Sequence, residues 1–281
     1  MSINNFQQTV WSKKIQKSLD AITSLKNHCD FEYEKDSKNA KEVKILGVVR
    51  PTIRTYVPGT DLTREAGTDS SQILKLDQYK YFNFEIEDID KAQSVPGLIE
   101  ALTQEATAGL SEAGDIYVGK LVATEVTNSD TKISVATPTD ISTVSDGGIA
   151  LIETGFENLY ENKCKVSDMY YLEVNPKWYT ILRPEIIELD TNNSDLIKKG
   201  FIGKYGNALI SIENLLQKAT VSGKECTICM LRTSKAIAFC GQIDKVEAYR
   251  PQNAFQDALK GLYVFGAKIV RPEQIHAFPI Y

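Results

Sequence analysis

The chain of 281 residues holds two histidines, His28 and His276, far apart in the sequence. A Ser-His-Asp relay or a facial metal site is hard to build from so little imidazole, so both read as structural residues. Cys226-x-x-Cys229 is the one metal-like spacing. Structural zinc wants a second pair or nearby histidines, and neither follows at a suitable distance. In the strand-like run ECTICMLR, positions three apart face opposite sides of a sheet, so these two read as core thiols. Gly200-x-x-Gly203-x-x-Gly206 lacks the G-x-G-x-x-G spacing and follows a polar segment, which makes it a turn requiring positive φ rather than a nucleotide loop. The acids Glu85, Glu87, Asp88 and Asp90 are better suited to solubilising an edge or meeting a basic partner than to holding a cation. Trp11, Trp178 and the run Tyr79, Tyr81, Phe82, Phe84 lack the interleaved basic residues of a base-stacking surface and read as core or intersubunit anchors. No hydrolase, zinc-protease, P-loop or EF-hand motif is present. Catalytic, cofactor-binding and metal residues are therefore expected to be none.

Composition narrows the class. With 42% hydrophobic and 25% charged residues and a net charge of -5, the chain is an ordinary folded protein and not one whose main task is coating duplex phosphates. No run approaches the roughly 18 to 20 apolar residues that span a bilayer, and the first twenty residues lack a signal-peptide core, so no membrane is expected and synthesis in the cytoplasm is. Five scattered cysteines suit reduced, buried thiols.

The elements that must position these residues begin with an amphipathic helix over Trp11 to about Asn27, its stripe formed by Trp11, Ile15, Leu19, Ile22 and Leu25. From Val43 to Val57 the period drops to two: Val43, Ile45, Val49, Ile53 and Val57 share one parity, and Lys44, Arg50 and Arg54 the other. A second strand-like run spans Gln72 to Ile86. The connection PGTDLTREAGTDSS, which contains Arg64 and Glu65, makes the two runs a long antiparallel hairpin that projects from the body and needs a partner for its apolar face. A long helix follows, with Leu98, Leu102, Ala106, Leu110, Ala113, Tyr117 and Leu121 at helical spacing over about 27 residues. A mixed α/β unit then covers about 136–242. The tail is strand-like, with Gly261 and Gly266 as turns, and returns toward the unit of the long helix.

This order resembles the major capsid proteins of tailed bacteriophages with the Hong-Kong-97-like fold. The phrases that carry the likeness are LDQYKYFNFEIEDIDKAQ from Leu76, VNPKWYTIL from Val174, GFIGKYGNALISIENL from Gly200, and AIAFCGQIDKVEAYRPQNAF through GLYVFGAKIVRPEQI. Trp11-Ser12 and Asp115-Ile116-Tyr117 add to them. The resemblance implies an α+β fold divided into an N-terminal arm (1–41), an extended loop (42–92), a peripheral domain with a spine helix (93–135 and 243–281) and an axial domain (136–242). It implies a virion component, assembled in the host cytoplasm, that tiles as hexamers and pentamers into an icosahedral shell around phage double-stranded DNA, which it touches non-specifically. A separate scaffolding protein, the portal and decoration proteins are the further partners expected. Lys75, Lys80 and Asn207 are of the types that some members cross-link, and no covalent chemistry is expected here.

Contacts between copies are expected at Trp11, Ile15 and Leu19 on the arm and at Ile45 and Val49 on the hairpin's apolar parity. The charged residues Arg50, Arg54, Arg64, Glu65, Glu85, Glu87 and Asp88 complete that set. Two alternatives stay open: an encapsulin-type compartment shell, and a soluble α/β enzyme or ligand-binding protein that would stay a monomer or small oligomer.

Overall fold

The structure is a computed structural model and describes residues 24–37, 41–48, 51–56, 58–59, 61, 69–87, 98–144, 146–189, 203–251 and 256–281. In chain order the elements are β1 (Glu42–Val48), β2 (Asp69–Lys75), β3 (Gln78–Glu87), α1 (Leu98–Val126), β4 (Ser134–Val135), α2 (Ile149–Glu161), β5 (Tyr170–Val174) and α3 (Pro176–Leu189). There follow β6 (Gly203–Tyr205), β7 (Ala208–Ile212), β8 (Lys218–Val221), β9 (Lys224–Thr233), β10 (Ile237–Tyr249), β11 (Gln256–Ile269) and β12 (Ile275–Ile280).

The body is a seven-stranded mixed sheet in the order β4-β12-β9-β5-β7-β6, with β8 paired to β9. Its inner strands read as continuous apolar runs because both faces are covered; every residue of β12 is buried. Ile152, Phe156 and Leu159 of α2 and Trp178, Leu182 and Ile186 of α3 join Leu172, Ile210, Leu231 and Phe278 of the sheet in one core. Asn175 starts α3 by accepting the Trp178 amide on its side chain at 2.8 Å, with Pro176 just after it where a missing N–H costs nothing. That start fixes Trp178, whose indole N–H donates to the Gly147 carbonyl at 3.0 Å while its ring meets Phe278 edge-on. The long helix expected from Leu98 is α1, 29 residues, and Val118, Val122 and Val126 bury its inner stripe.

Three expectations are corrected. The run from Gln72 to Ile86 is two strands: β2 pairs with β1, while β3 leaves it after Leu76 and Asp77 and pairs antiparallel with β11 in a three-stranded sheet, β10-β11-β3. The hairpin is therefore shorter than expected, and residues 51–56 lie outside its strands. Gly261 and Gly266 are not turns but interior positions of the 14-residue strand β11. The Phe82 ring lies over Gly261, where a Cβ would come within 2.5 Å of it, and the Lys75 carbonyl would sit 2.0 Å from a Cβ on Gly266. Both glycines mark close approach rather than reversal of the chain. The tail also divides: β11 serves the small sheet, but β12 enters the central one between β4 and β9.

Of the arm helix expected over residues 11–27, all but the last turn lies outside the described residues; Lys26–His28 form a short 3-10 turn. Within Gly200-x-x-Gly203-x-x-Gly206, Gly206 takes φ +55° in the two-residue turn joining β6 to β7, as expected for a turn glycine.

Candidate functional site: exposed apolar surface and a buried ionic joint

The base of the β1–β2 hairpin is docked on its own chain. Val43 and Ile45 of β1 and Leu74 and Leu76 form a second core with Ala238 and Cys240 of β10 and Val264 of β11. The Gln72 side chain donates to the Val270 carbonyl at 3.2 Å, and Lys268 Nζ donates to the Ile73 carbonyl at 3.0 Å. Alternation then sends the other parity outward: Leu46 is 70% exposed and Ile73, its diagonal neighbour across the pair, is also exposed. Ile53 (83%), Tyr56, Tyr79 and Tyr81 (77%) continue this exposed set. Six of the thirteen large apolar residues exposed in the described structure thus fall between residues 46 and 81, so uncovered apolar surface is concentrated in this part of the chain.

The three-stranded sheet is open as well. Phe84, Leu259 and Ala248 form one cross-strand row, and a shallow cavity of about 380 Å³ lies along it, bordered by Tyr249 and Arg250. A second cavity, about 440 Å³, is bordered by Tyr81, Phe82, Glu247, Lys260 and Leu262. Phe82 and Phe84 stack at 6.0 Å between centroids.

A buried joint fixes the N-terminal segment. Arg232 on β9 has no exposed surface; its Nε and Nη2 donate to the two oxygens of Glu173 on β5 at 3.0 and 2.7 Å. Its remaining N–H groups donate to the carbonyls of Leu25 (2.8 Å) and His28 (2.9 Å). His28 Nδ1 lies 2.9 Å from Glu173 Oε1, and the imidazole stacks on Tyr171. From α1, Asp115 Oδ1 accepts the Lys26 amide at 3.0 Å. Four residues on, the Asp30 amide donates to the Ile237 carbonyl and the Phe239 amide to the Asp30 carbonyl, stitching the segment to β10. Burial alone would raise the Glu173 carboxyl, but Arg232 and His28 beside it hold it below the usual range. Burial pushes Asp115 up to about 6 and the Cys29 thiol up to about 11. Glu213, just after β7, is pushed up to about 9 by burial and by the nearby Glu173 and Asp115 carboxyls.

The comparisons with known proteins decide among these features. No protein-family model and no curated protein matches the chain. Among solved structures, a chain from Mycobacterium phage Che8 matches at a TM-score of 0.80 and 26% identity, covering 99% of this chain and 98% of that one. The capsid structure of cyanophage P-SCSP1u matches at 0.74 and 16% identity over 100% of this chain and 95% of that one. The mature capsid of bacteriophage PhiM1 matches at 0.72 and 13% identity, over 98% and 92%. This chain has the phage capsid fold.

The residues expected at contacts fare differently. Ile45 is 6% exposed and already used in the second core of its own chain, so it has little surface to offer a neighbour. Arg54 is exposed, and Glu85 is exposed on β3, where the Gln256 side chain donates to it. Glu87 closes β3, with its side chain outside the described residues. Trp11, Ile15, Leu19, Val49, Arg50, Arg64, Glu65 and Asp88 lie outside the described residues. Both histidines are buried, and His28 has an acid partner, Glu173, that is remote in sequence. Cys226 and Cys229 are buried free thiols in β9. Among the described residues no group of three metal-ligating side chains converges, and no helix is long and apolar enough to cross a membrane. Sequence reading missed Leu46 and Ile73 as surface residues and missed the joint; a lone charge inside an apolar strand, Glu173 in YYLEV or Arg232 in TICMLRT, is the signal that could have found it.

Proposed function

We propose that the chain is the major capsid protein of a bacteriophage, tiling as hexamers and pentamers into an icosahedral head that encloses double-stranded DNA. The observation that carries this reading is the concentration of uncovered apolar residues from Leu46 to Tyr81 on a chain that matches phage capsid chains from end to end. A two-stranded ribbon is marginal in water, and repeating one contact of this kind around symmetry axes closes a shell. The arm and the hairpin's distal residues are the parts assigned to the neighbour. Arg50, Arg54, Arg64 and Glu65 set register there, while Glu85, Glu87 and Asp88 meet basic groups of the adjoining copy.

Size-exclusion chromatography and electron microscopy of the purified full-length chain test the proposal. Capsomers or shells are expected, and deletion of residues 58–71 is expected to leave a folded chain that no longer forms them. A full-length chain that stays monomeric at every concentration and salt condition, or a deletion that assembles unchanged, overturns it. Particles isolated from the native source with an enzyme inside and no nucleic acid would assign the shell to a protein compartment instead.

A further inference from the structure

Glu213 is a buried ionisable group that neither the sheet nor the assembly reading uses. It is fully buried; among the described residues no side chain donates to either carboxyl oxygen, and the backbone N–H of Ser24 lies close enough to favour its charged form without closing a full hydrogen bond. Its backbone is fixed by the amide, which donates to the Val174 carbonyl at 2.9 Å. The groups around it are Glu173 from β5, Arg232 from β9, Asp115 from α1, and the N-terminal segment at Ser24. Lys26, His28 and Cys29 of that segment and Tyr263 of β11 complete the titratable set facing the same cluster. The Arg232 guanidinium directs its hydrogen bonds to Glu173, Leu25 and His28, and the Lys26 ammonium faces Asp115. Asp115 also accepts the Lys26 amide, whereas Glu213 has only the weaker approach of the Ser24 amide. A carboxyl desolvated in this way keeps its proton, and forcing a charge onto it beside Glu173 makes the pocket electrostatically untenable.

We propose that Glu213 is the proton-held lock of a latch: while neutral it lets Leu25–Asp30 stay seated between α1, the central sheet and β10, and its ionisation releases that segment with both sheets still folded. The segment yields first because its attachments are isolated. Its polar attachments include two carbonyls and the Cys29 sulfur on Arg232, one amide on Asp115, the Lys26 ammonium on Ser111, one imidazole on Glu173 and a single bridge at Asp30, and its apolar attachment is the burial of Leu25 and Cys29 in the core. Strands β5, β7 and β9 are held by continuous ladders. Burial raises Glu213 from an ordinary 4.5 to about 9, so the closed latch is fully favoured below about pH 4.5 and loses that support as pH rises through about 9. The latch acts whether or not the protein assembles.

Cys29, buried inside the latch, is the reporter. Iodoacetamide labelling of the full-length chain, resolved by peptide mass spectrometry and normalised at each pH to the rate in denaturant, separates opening from thiol ionisation. Protection of Cys29 is expected to fall at least tenfold between pH 7 and pH 10, while Cys229 and Cys240 stay protected. Glu213→Gln is expected to keep Cys29 protected across the range, with Glu213→Leu taking its place if the glutamine variant does not fold. Unchanged protection in the wild-type chain, the same loss in the variant, or simultaneous exposure of all five cysteines overturns the latch.

Discussion

The seven-stranded body and the unit made of the β1–β2 hairpin with the three-stranded sheet use the same side chains to opposite ends. In the body, β12 is buried on both faces and even its charges are enclosed: Arg232 is saturated by Glu173 and two backbone carbonyls. In the other unit one parity of the hairpin closes a small core through Val43, Ile45 and Leu74, while the opposite parity leaves Leu46 and Ile73 in water. A sheet covered twice is complete as a monomer, and a sheet covered once carries its surplus apolar surface to another molecule. The contrast is between a part that is stable alone and a part whose surface makes sense in company.

Replacing Arg232 by alanine breaks the self-sufficient half and carries the largest expected cost. It strands the Glu173 carboxylate in the interior and unseats the Leu25 and His28 carbonyls, which is worth about 3–5 kcal/mol. For a chain of this size that is a fall in melting temperature of about 10 °C, read by calorimetry. Arg232→Lys should recover little of it, because an ammonium cannot reproduce the forked contact with both Glu173 oxygens. A melting temperature within a degree of wild type would mean that the joint contributes no net stability.

Ile45→Asp moves the test to the boundary between the two halves. The carboxylate would enter a core of Val43, Leu74, Leu76 and Val264 with no partner. A loss of about 3 kcal/mol is expected, limited by local undocking of the hairpin. Hydrogen exchange should then show β1 and β2 deprotected while β5 and β9 stay protected. Uniform deprotection would join the two halves into one cooperative unit.

Asp115 gives the comparison a pH axis. Burial raises its carboxyl from an ordinary value of 3.8 to about 6 in the folded chain, so folding favours the protonated form. Its contribution is fully present below about pH 3.8 and is lost as pH rises through about 6. Asp115→Asn, which can still accept the Lys26 amide, should remove this slope and gain about 1–2 kcal/mol at pH 7 in urea titrations. Parallel stability-against-pH curves for variant and wild type would contradict the assignment.

What could be read from the sequence follows from how local each signal is. Helix α1 is legible because its apolar spacing persists over 29 residues, and β9 and β12 are legible as strands, although the place of β12 in the central sheet is not. The partner of β3 was not legible. Its alternation is the same whether it pairs with β1 or with β11, and only the close fit of Phe82 over Gly261 and of the Lys75 carbonyl against Gly266 distinguishes them. The same ambiguity made those glycines look like turns. The sequence also hides the joint, since Glu173 and His28 are brought together by the fold across a separation of 145 residues. Alternation identifies the two parities of β1 without saying which one faces inward: Ile45 is buried in its own chain, and Leu46 carries the exposed surface.

Leu46→Asp is therefore the smallest perturbation of the folded chain and the most discriminating partner to Ile45→Asp. The side chain is 70% exposed, so stability should stay within about 0.5 kcal/mol of wild type. If that face of the hairpin is covered only by another copy, a charge there blocks capsomer and shell formation while the melting temperature holds. Adjacent residues on one strand would then separate docking of the hairpin on its own chain from assembly, one substitution disrupting each. Shells that form normally from the Leu46 variant, by sedimentation and electron microscopy, would move the assembly surface away from the hairpin and onto the open row of Phe84, Leu259 and Ala248.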